Sequence, residues 1–388
     1  MKTLTQPMTG AQAAWPAYMR RAFELATRVI STHPNPRVGC VLVLGEQVVG
    51  EGWHEAPGEV HAEVAALAAA GDQAAGSTAF VTLEPCAHQG RTGPCSSALI
   101  QAGVKEVIIA VLDPNPAVAG KGVRDLEAAG IPVYHLAAAE AEARSLNQGY
   151  FARREQGIPQ VTVKLAMSLD GRTAMADGES KWITGADARA DVQRLRLQSS
   201  AIITGVNSVL LDDPSLTVRP ADLRLMPLEQ DSNTLLLQRQ PLRVVIDSQL
   251  RTPGTARLAA LAGDFIVFTA SREQSTSLAP ERIRRVPADQ SGRVHLRSVL
   301  ESLAADYECN DVLVEAGPIL AGAFLRAGLA DKLVVYVAPK ILGSDARPLM
   351  EIAGLASLAD AIDLTWQDVT RVGTDLRLTL IPKQLQDH

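Results

Sequence analysis

The residues with the clearest chemical potential are His61-Ala62-Glu63, Pro85-Cys86 and Pro94-Cys95. One imidazole and two thiolates are ligands that zinc favours, and stopping at three leaves a fourth tetrahedral position for water, the pattern of a catalytic site. A structural site would normally close with another Cys or His. Bound zinc lowers the pKa of its water to about 7, which supplies a nucleophile at neutral pH. Glu63 then has the role of proton carrier, because a carboxylate that ligated the metal could not shuttle protons. A buried histidine and two unrelated cysteines could fall in this order by chance, but the paired Pro-Cys steps and the adjacent glutamate argue against it.

These side chains need elements that aim them together. His61 and Glu63 lie two residues apart and would point nearly opposite ways on a regular helix. The spacing therefore predicts His61 at the very start of the alanine-rich helix over 61–70, where the backbone is not yet helical. Cys95 follows a proline and precedes Ser96-Ser97 and an apolar run, which marks a helix start. The helix dipole and the metal would both favour its thiolate. Around these motifs, helical spacing over 18–30, 96–102 and 122–129 alternates with strand-like runs at 40–44, 79–83, 107–111 and 131–134. Such alternation points to a largely parallel sheet covered on both faces. The stretch 137–154 reads as one long helix, broken by Gln156-Gly157-Ile158-Pro159, where we place the boundary between domains 1–155 and 156–388. Alternation resumes with strands at 161–167, 201–204, 243–247, 265–269, 311–315 and 332–338 and helices over 186–198 and 318–327. The segments 221–239 and 271–293 read as irregular surface insertions.

The 388 residues, 47% of them hydrophobic, can build two cores. A net charge of −6 without a long basic run argues against a nucleic-acid partner. No uncharged apolar stretch approaches the roughly 20 residues of a membrane span, and the start of the chain does not read as a signal peptide. Four cysteines make no disulfide framework, so a soluble cytoplasmic protein is expected. Cys40 and Cys309 read as structural thiols, and His54, His135 and His295 as packing or surface residues.

Longer motifs carry a family resemblance: His33-Pro34-Asn35-Pro36-Arg37-Val38-Gly39-Cys40, His61-Ala62-Glu63-Val64, Thr82-Leu83-Glu84-Pro85-Cys86-Ala87-His88, Gly90-Arg91-Thr92-Gly93-Pro94-Cys95 and Asp113-Pro114-Asn115-Pro116 in the first half; Ser168-Leu169-Asp170-Gly171-Arg172-Thr173-Ala174, Asp212-Asp213-Pro214 and Val314-Glu315-Ala316-Gly317-Pro318 in the second. Together they resemble the bifunctional deaminase–reductases of riboflavin biosynthesis over nearly the whole chain. The eight residues between Cys86 and Cys95 also look like that family, whereas general cytidine deaminases space these cysteines two apart.

The resemblance implies an α/β protein, a cytidine-deaminase-like three-layer α/β/α domain followed by a dihydrofolate-reductase-like α/β domain. It implies one zinc per chain on His61, Cys86 and Cys95, with Glu63 carrying protons as in the zinc nucleobase deaminases. The substrate would be a phosphorylated diaminopyrimidinone, deaminated to a uracil. Asn35, in a stiff loop between two prolines, is a candidate for reading the pyrimidine edge or else a plain turn residue. His88 and Arg91 are either phosphate contacts or solvated.

The second half has no Gly-x-Gly-x-x-Gly fingerprint. Its strand 311–315 runs into Ala316-Gly317-Pro318 and a helix, where free N–H groups bind anions, although glycine there also serves a mere turn. By resemblance, NADPH meets Ala166, Trp182, Ser208, Asp212, Ser248 and the run Gly317, Pro318, Ile319, Leu320, Ala321, Gly322, Ala323. The sugar phosphate meets Ser180, Arg196, Leu216, Arg219 and Glu315. Arg196 and Arg219 offer guanidinium forks for phosphate, and Asp212 is either the proton donor for the opened sugar or part of a helix-capping turn. A dimer through the reductase half is the family-like expectation. Two other readings stay open: a deaminase of free cytosine or guanine with a regulatory second half, and a binding module stapled by structural zinc.

Overall fold

A computed structural model describes residues 1–4, 10–87, 93–116, 118–273 and 277–383. The chain divides into two compact units, Met1–Gln156 with Leu225–Gln238, and Gly157–Arg224 with Arg239–His388.

The first unit is built on a six-stranded sheet in the order Lys2–Leu4, Val133–Leu136, Glu106–Ile109, Thr78–Val81, Gly39–Leu44, Gln47–Trp53. Its first four strands are parallel, and the last two form an antiparallel hairpin joined to Thr78–Val81. The sheet is largely parallel, as expected, and the hairpin at its edge follows from Gly45-Glu46, too short a link for a crossover. Side-chain alternation sends Val41, Val43, Phe80 and Ile108 into one core under helix Trp15–Ala26. It sends Cys40, Leu42, Ala79, Val81, Val107 and Ile109 into another, with Ala62, Ala66, Leu99 and Leu126 from the helices on that side. The result is a three-layer α/β/α unit. The alanines of helix Ala62–Ala70 suit close contact with the strand behind it: a Cβ at Gly52 would lie 2.3 Å from the Ala62 carbonyl oxygen.

The long helix expected over 137–154 is interrupted. A 3-10 turn precedes helices Glu140–Leu146 and Gln148–Gln156, and between them Asn147 leaves helical geometry. Its side-chain amide instead accepts from the Arg37 backbone N–H (2.8 Å) and donates to the Arg37 carbonyl (2.9 Å). The segment 221–239 also differs from the irregular surface insertion expected. Helices Pro227–Ser232 and Thr234–Leu237 flank a buried Asn233, and 225–238 packs as part of the first unit.

The second unit has a nine-stranded sheet. Seven parallel strands run in the order Ile283–Arg285, Phe265–Thr269, Leu242–Ile246, Ala201–Gly205, Asp311–Glu315, Gln160–Ser168, Lys332–Ala338, and the antiparallel hairpin Asp375–Pro382 and Leu364–Val372 completes the edge. Strand 283–285 lies inside the second stretch expected to be irregular. The main core gathers Val161, Val163, Leu165, Ile203, Val244 and Val314 on one face.

Candidate active sites

His61 caps helix Ala62–Ala70 with φ −75° and ψ 159°, an extended backbone. That one non-helical residue lets His61 and Glu63 face the same point, as their spacing required. Cys95 begins helix Cys95–Gln101. The His61 Nδ1 atom lies 3.5 Å from the Cys86 Sγ and 3.3 Å from the Cys95 Sγ. Tetrahedral zinc with ordinary Zn–N and Zn–S bonds holds such atoms about 3.6 Å apart. The three ligand atoms lie within 4.8 Å of one another, and they form the one such group among the described residues. The donor set and spacing fit zinc with one coordination position left open.

Hydrogen bonds from the Cys95 thiol and His61 draw Cys86 down to about 4, while the bond to Cys86 and burial hold the Cys95 thiol well above its usual range. The pair thus readily yields one thiolate, and a dication draws out the second proton. Glu63 is 4% exposed, and burial first, then the charge on Cys86, pushes its carboxyl up to about 7. A carboxyl poised there can both take and give a proton at neutral pH.

The cysteine loop is held from behind. Glu84 is buried, and its carboxylate accepts from the backbone N–H groups of Gly120 (2.9 Å), Val123 (3.2 Å) and Asp113 (3.3 Å). The Cys86 carbonyl accepts from Ser96 N–H at 3.1 Å. His88 and Arg91 lie outside the described residues.

Asn35 is half-buried, and its partner His54 lies edge-on to His61, with ring centroids 5.3 Å apart. Its Nδ2 lies 3.0 Å from the His54 Nε2, and the His54 Nδ1 lies 3.1 Å from the Val60 carbonyl oxygen. A carbonyl only accepts, so Nδ1 carries the proton, and Nε2 accepts from the Asn35 amide. Burial lowers the His54 pKa, which favours the neutral ring. His135 contacts the Ala110 carbonyl and Glu140, and His295 the Ser298 hydroxyl, whereas His54, set aside on sequence, fixes the orientation of Asn35. Its signal was Gly52-Trp53-His54 at the end of a strand leading towards His61.

A cleft of about 2010 Å³ opens at the carboxyl ends of strands 201–205 and 311–315. Two helices begin there, Val206–Asp212 after Gly205 and Pro318–Arg326 after Gly317, with Pro318 in the first helical turn. A Cβ at Gly317 would meet only the Ser208 Oγ at 3.9 Å. Neighbouring helix starts with small residues between them make a cradle for a dinucleotide's phosphates. Ala166, Ser180, Arg196, Ser208, Asp212, Leu216, Ser248, Glu315, Gly317, Pro318, Ile319, Leu320 and Ala323 all line the cleft.

Other expected contacts sit elsewhere. Ala321 is fully buried in the core, because its helix turns that face inward. Gly322 backs onto the chain at Glu351, whose carbonyl a Cβ would meet at 2.2 Å. Trp182 is 63% exposed with the Arg189 guanidinium 4.5 Å above its ring. Arg219 pairs with Asp222 at 2.5 Å.

Arg196 does not present a free fork to phosphate. Its Nε and Nη2 donate to the Glu315 carboxylate at 2.6 and 3.0 Å, and Nη1 donates to the Thr217 carbonyl. Asp212 is exposed, and the next residue, Asp213, is the left-handed cap of helix 206–212. A residue missed on sequence is Lys164, which also lines the cleft. Burial lowers its pKa, and the Glu315 charge opposes that fall. The signal was its place in Val161-Thr162-Val163-Lys164-Leu165-Ala166, where period-two alternation puts Lys164 on the same face as Ala166.

Residues 15–111 match the family described as the cytidine and deoxycytidylate deaminase zinc-binding region, and residues 159–378 match the RibD C-terminal domain. The riboflavin biosynthesis protein RibD of Escherichia coli (strain K12) is 48% identical over 94% of this chain and 98% of its own length. That of Haemophilus influenzae is 45% identical over 94% and 97%. Among solved structures, Acinetobacter baumannii RibD superposes with a TM-score of 0.85 at 44% identity, covering 95% of this chain and 98% of that one. A Thermotoga maritima diaminohydroxyphosphoribosylaminopyrimidine deaminase/5-amino-6-(5-phosphoribosylamino)uracil reductase gives 0.79 at 30% identity, covering 96% and 100%.

Proposed function

Because this chain belongs to the bifunctional deaminase–reductase family of riboflavin biosynthesis, we infer that Glu63 carries the protons of its first reaction and Lys164 gives the proton of its second. The enzyme deaminates 2,5-diamino-6-ribosylamino-4(3H)-pyrimidinone 5′-phosphate to 5-amino-6-(5-phosphoribosylamino)uracil, then reduces the ribosyl group to ribityl. Its cofactors are zinc and NADPH.

His61, Cys86 and Cys95 would hold the zinc, which would supply an acidified water. Glu63 takes a proton from the attacking water and delivers it to the ring nitrogen; it then takes the remaining proton of the new hydroxyl and passes it to the amine, so that the C–N bond breaks, the carbonyl forms and ammonia leaves. Asn35, its amide nitrogen committed to His54, presents its oxygen to an N–H on the pyrimidine edge. In the second site NADPH supplies hydride. The Gly205 and Gly317 helix starts, with Ser208, would hold its phosphates. The Lys164 ammonium protonates the ribose ring oxygen as the ring opens; the charge of Glu315, its neighbour on the adjacent strand, favours the protonated form, and Arg196 holds Glu315. Lys164 replaces Asp212 as the preferred donor because it sits deeper in the cleft beside a carboxylate.

The observation that carries this reading is the buried Glu63 beside three converging ligands. The isosteric Glu63→Gln keeps the shape and removes the base. Deamination should slow by roughly 10²–10⁴-fold, with zinc content unchanged and reduction of the uracil intermediate intact. Full deaminase turnover in this variant would overturn it.

We also place the enzyme in the cytoplasm, where reduced thiols and NADPH are maintained. All four cysteines are unpaired by disulfides, and no described helix is long and apolar enough to cross a membrane. A homodimer through the reductase half is supported by the edge strand Leu364–Val372, which exposes Trp366 and Val369 at 62% and 56%.

A further inference from the structure

We infer that Asn233 is a positioning residue for deamination, holding the chain that presents Asn35 to the pyrimidine; this rests on the substrate role given to Asn35 above. Beyond helix Trp15–Ala26 the chain runs through 27–32 as neither helix nor strand, yet Ile30, Ser31 and Thr32 are buried. Buried backbone groups there need partners from outside regular structure.

Asn233, 1% exposed, provides them. Its Oδ1 accepts from the Ile30 N–H at 2.7 Å, and its Nδ2 donates to the Arg28 carbonyl at 3.1 Å and the Glu229 carbonyl at 2.7 Å. Turning the amide over would set oxygen against two carbonyls and nitrogen against a donor, so one orientation is fixed. Two residues beyond Ile30 the turn begins. The Thr32 Oγ1 donates to the Asn35 carbonyl at 2.9 Å, and the Asn35 N–H donates to the Thr32 carbonyl at 2.9 Å. The Asn35 side chain then engages His54. A segment from the second half of the sequence thus anchors the loop that reads the substrate of the first reaction. Asn233 itself touches neither Asn35 nor the zinc ligands and acts through the backbone of 28–32.

The test uses the full-length, zinc-loaded enzyme. Asn233→Ala should raise KM for the diaminopyrimidine on the order of tenfold, within what small misplacements of positioning groups cost. It should leave kcat within about twofold, the signature of lost binding alone, and keep zinc content and the reduction of the uracil intermediate at their original levels. Asn35→Ala should raise KM too, and Asn233→Ala added to it should give little further rise, because both changes remove one interaction. An unchanged KM in Asn233→Ala, or effects that multiply in full in the double variant, would overturn the proposal. Should Asn233→Ala fail to fold, Thr32→Val, which removes only the hydroxyl that closes the turn, should show the same KM rise, and an unchanged KM there counts against the proposal. Absence of deamination in the unaltered enzyme would instead strike the reading beneath it.

Discussion

At the residue scale, the proposed mechanism uses two titratable groups moved from their ordinary range in opposite directions. Burial raises the Glu63 carboxyl, so it can hold a proton briefly between water and ammonia, and burial lowers the Lys164 ammonium, so it can release one. Lys164 must be protonated to act as a donor. Reduction is therefore complete below its depressed pKa and fades as pH rises through it, at a pH below the ordinary lysine value of about 10.4. Lys164→Met should abolish most reductase turnover, and Lys164→Arg, which stays charged, should remove the alkaline fall from whatever rate remains. A pH–rate profile with purified uracil intermediate measures both, and a full-rate Lys164→Met would exclude the role. The ligands and Glu63 were legible because their spacing suits little except an open zinc site. His54 and Lys164 were not, because a lone histidine or lysine has no local pattern and gains meaning only from partners distant in sequence, Asn35 and Glu315.

At the scale of elements, close backbone approach aims the metal ligands. The helix start carrying Gly122 packs directly against the loop before Cys86, and a Cβ on Gly122 would lie 1.9 Å from the Pro85 carbonyl oxygen. Backbone cannot yield as a flexible side chain does, so Gly122→Ala should shift Pro85-Cys86. Zinc affinity should fall roughly 10- to 100-fold, as when groups supporting metal ligands are changed, read by chelator competition. Unchanged affinity would mean that the loop is not held there. Most elements were readable from periodicity, including the strand–helix alternation around both sites. The break at Asn147 and the placement of 225–238 were not, since each depends on one asparagine amide pairing with backbone far away in sequence, at Arg37 and at Ile30. The antiparallel edge follows from Gly45-Glu46, a two-residue link that only a hairpin can use.

At the scale of the whole molecule, one chain joins a hydrolytic activity that uses zinc to a reductive activity that uses NADPH. The exposed strand 364–372 should be covered by a second copy, so Trp366→Glu with Val369→Lys should convert a dimer to a monomer in light scattering while deamination persists. An unaltered enzyme already monomeric would remove that expectation. Neither the bond between Asn233 and Ile30 nor the commitment of Arg196 to Glu315 is visible in composition or motif, because both are products of tertiary pairing. The most direct test of the paired-reaction account is mass spectrometry of products from the phosphorylated diaminopyrimidinone in ¹⁸O-water, with and without NADPH and with a zinc chelator. Without NADPH, one labelled oxygen should replace the amino group and that product should accumulate. With NADPH, two further hydrogens should appear, and the chelator should block the first change but not the reduction of added uracil intermediate. Recovery of unaltered substrate from zinc-loaded enzyme, or labelling that survives complete removal of zinc, would contradict the account.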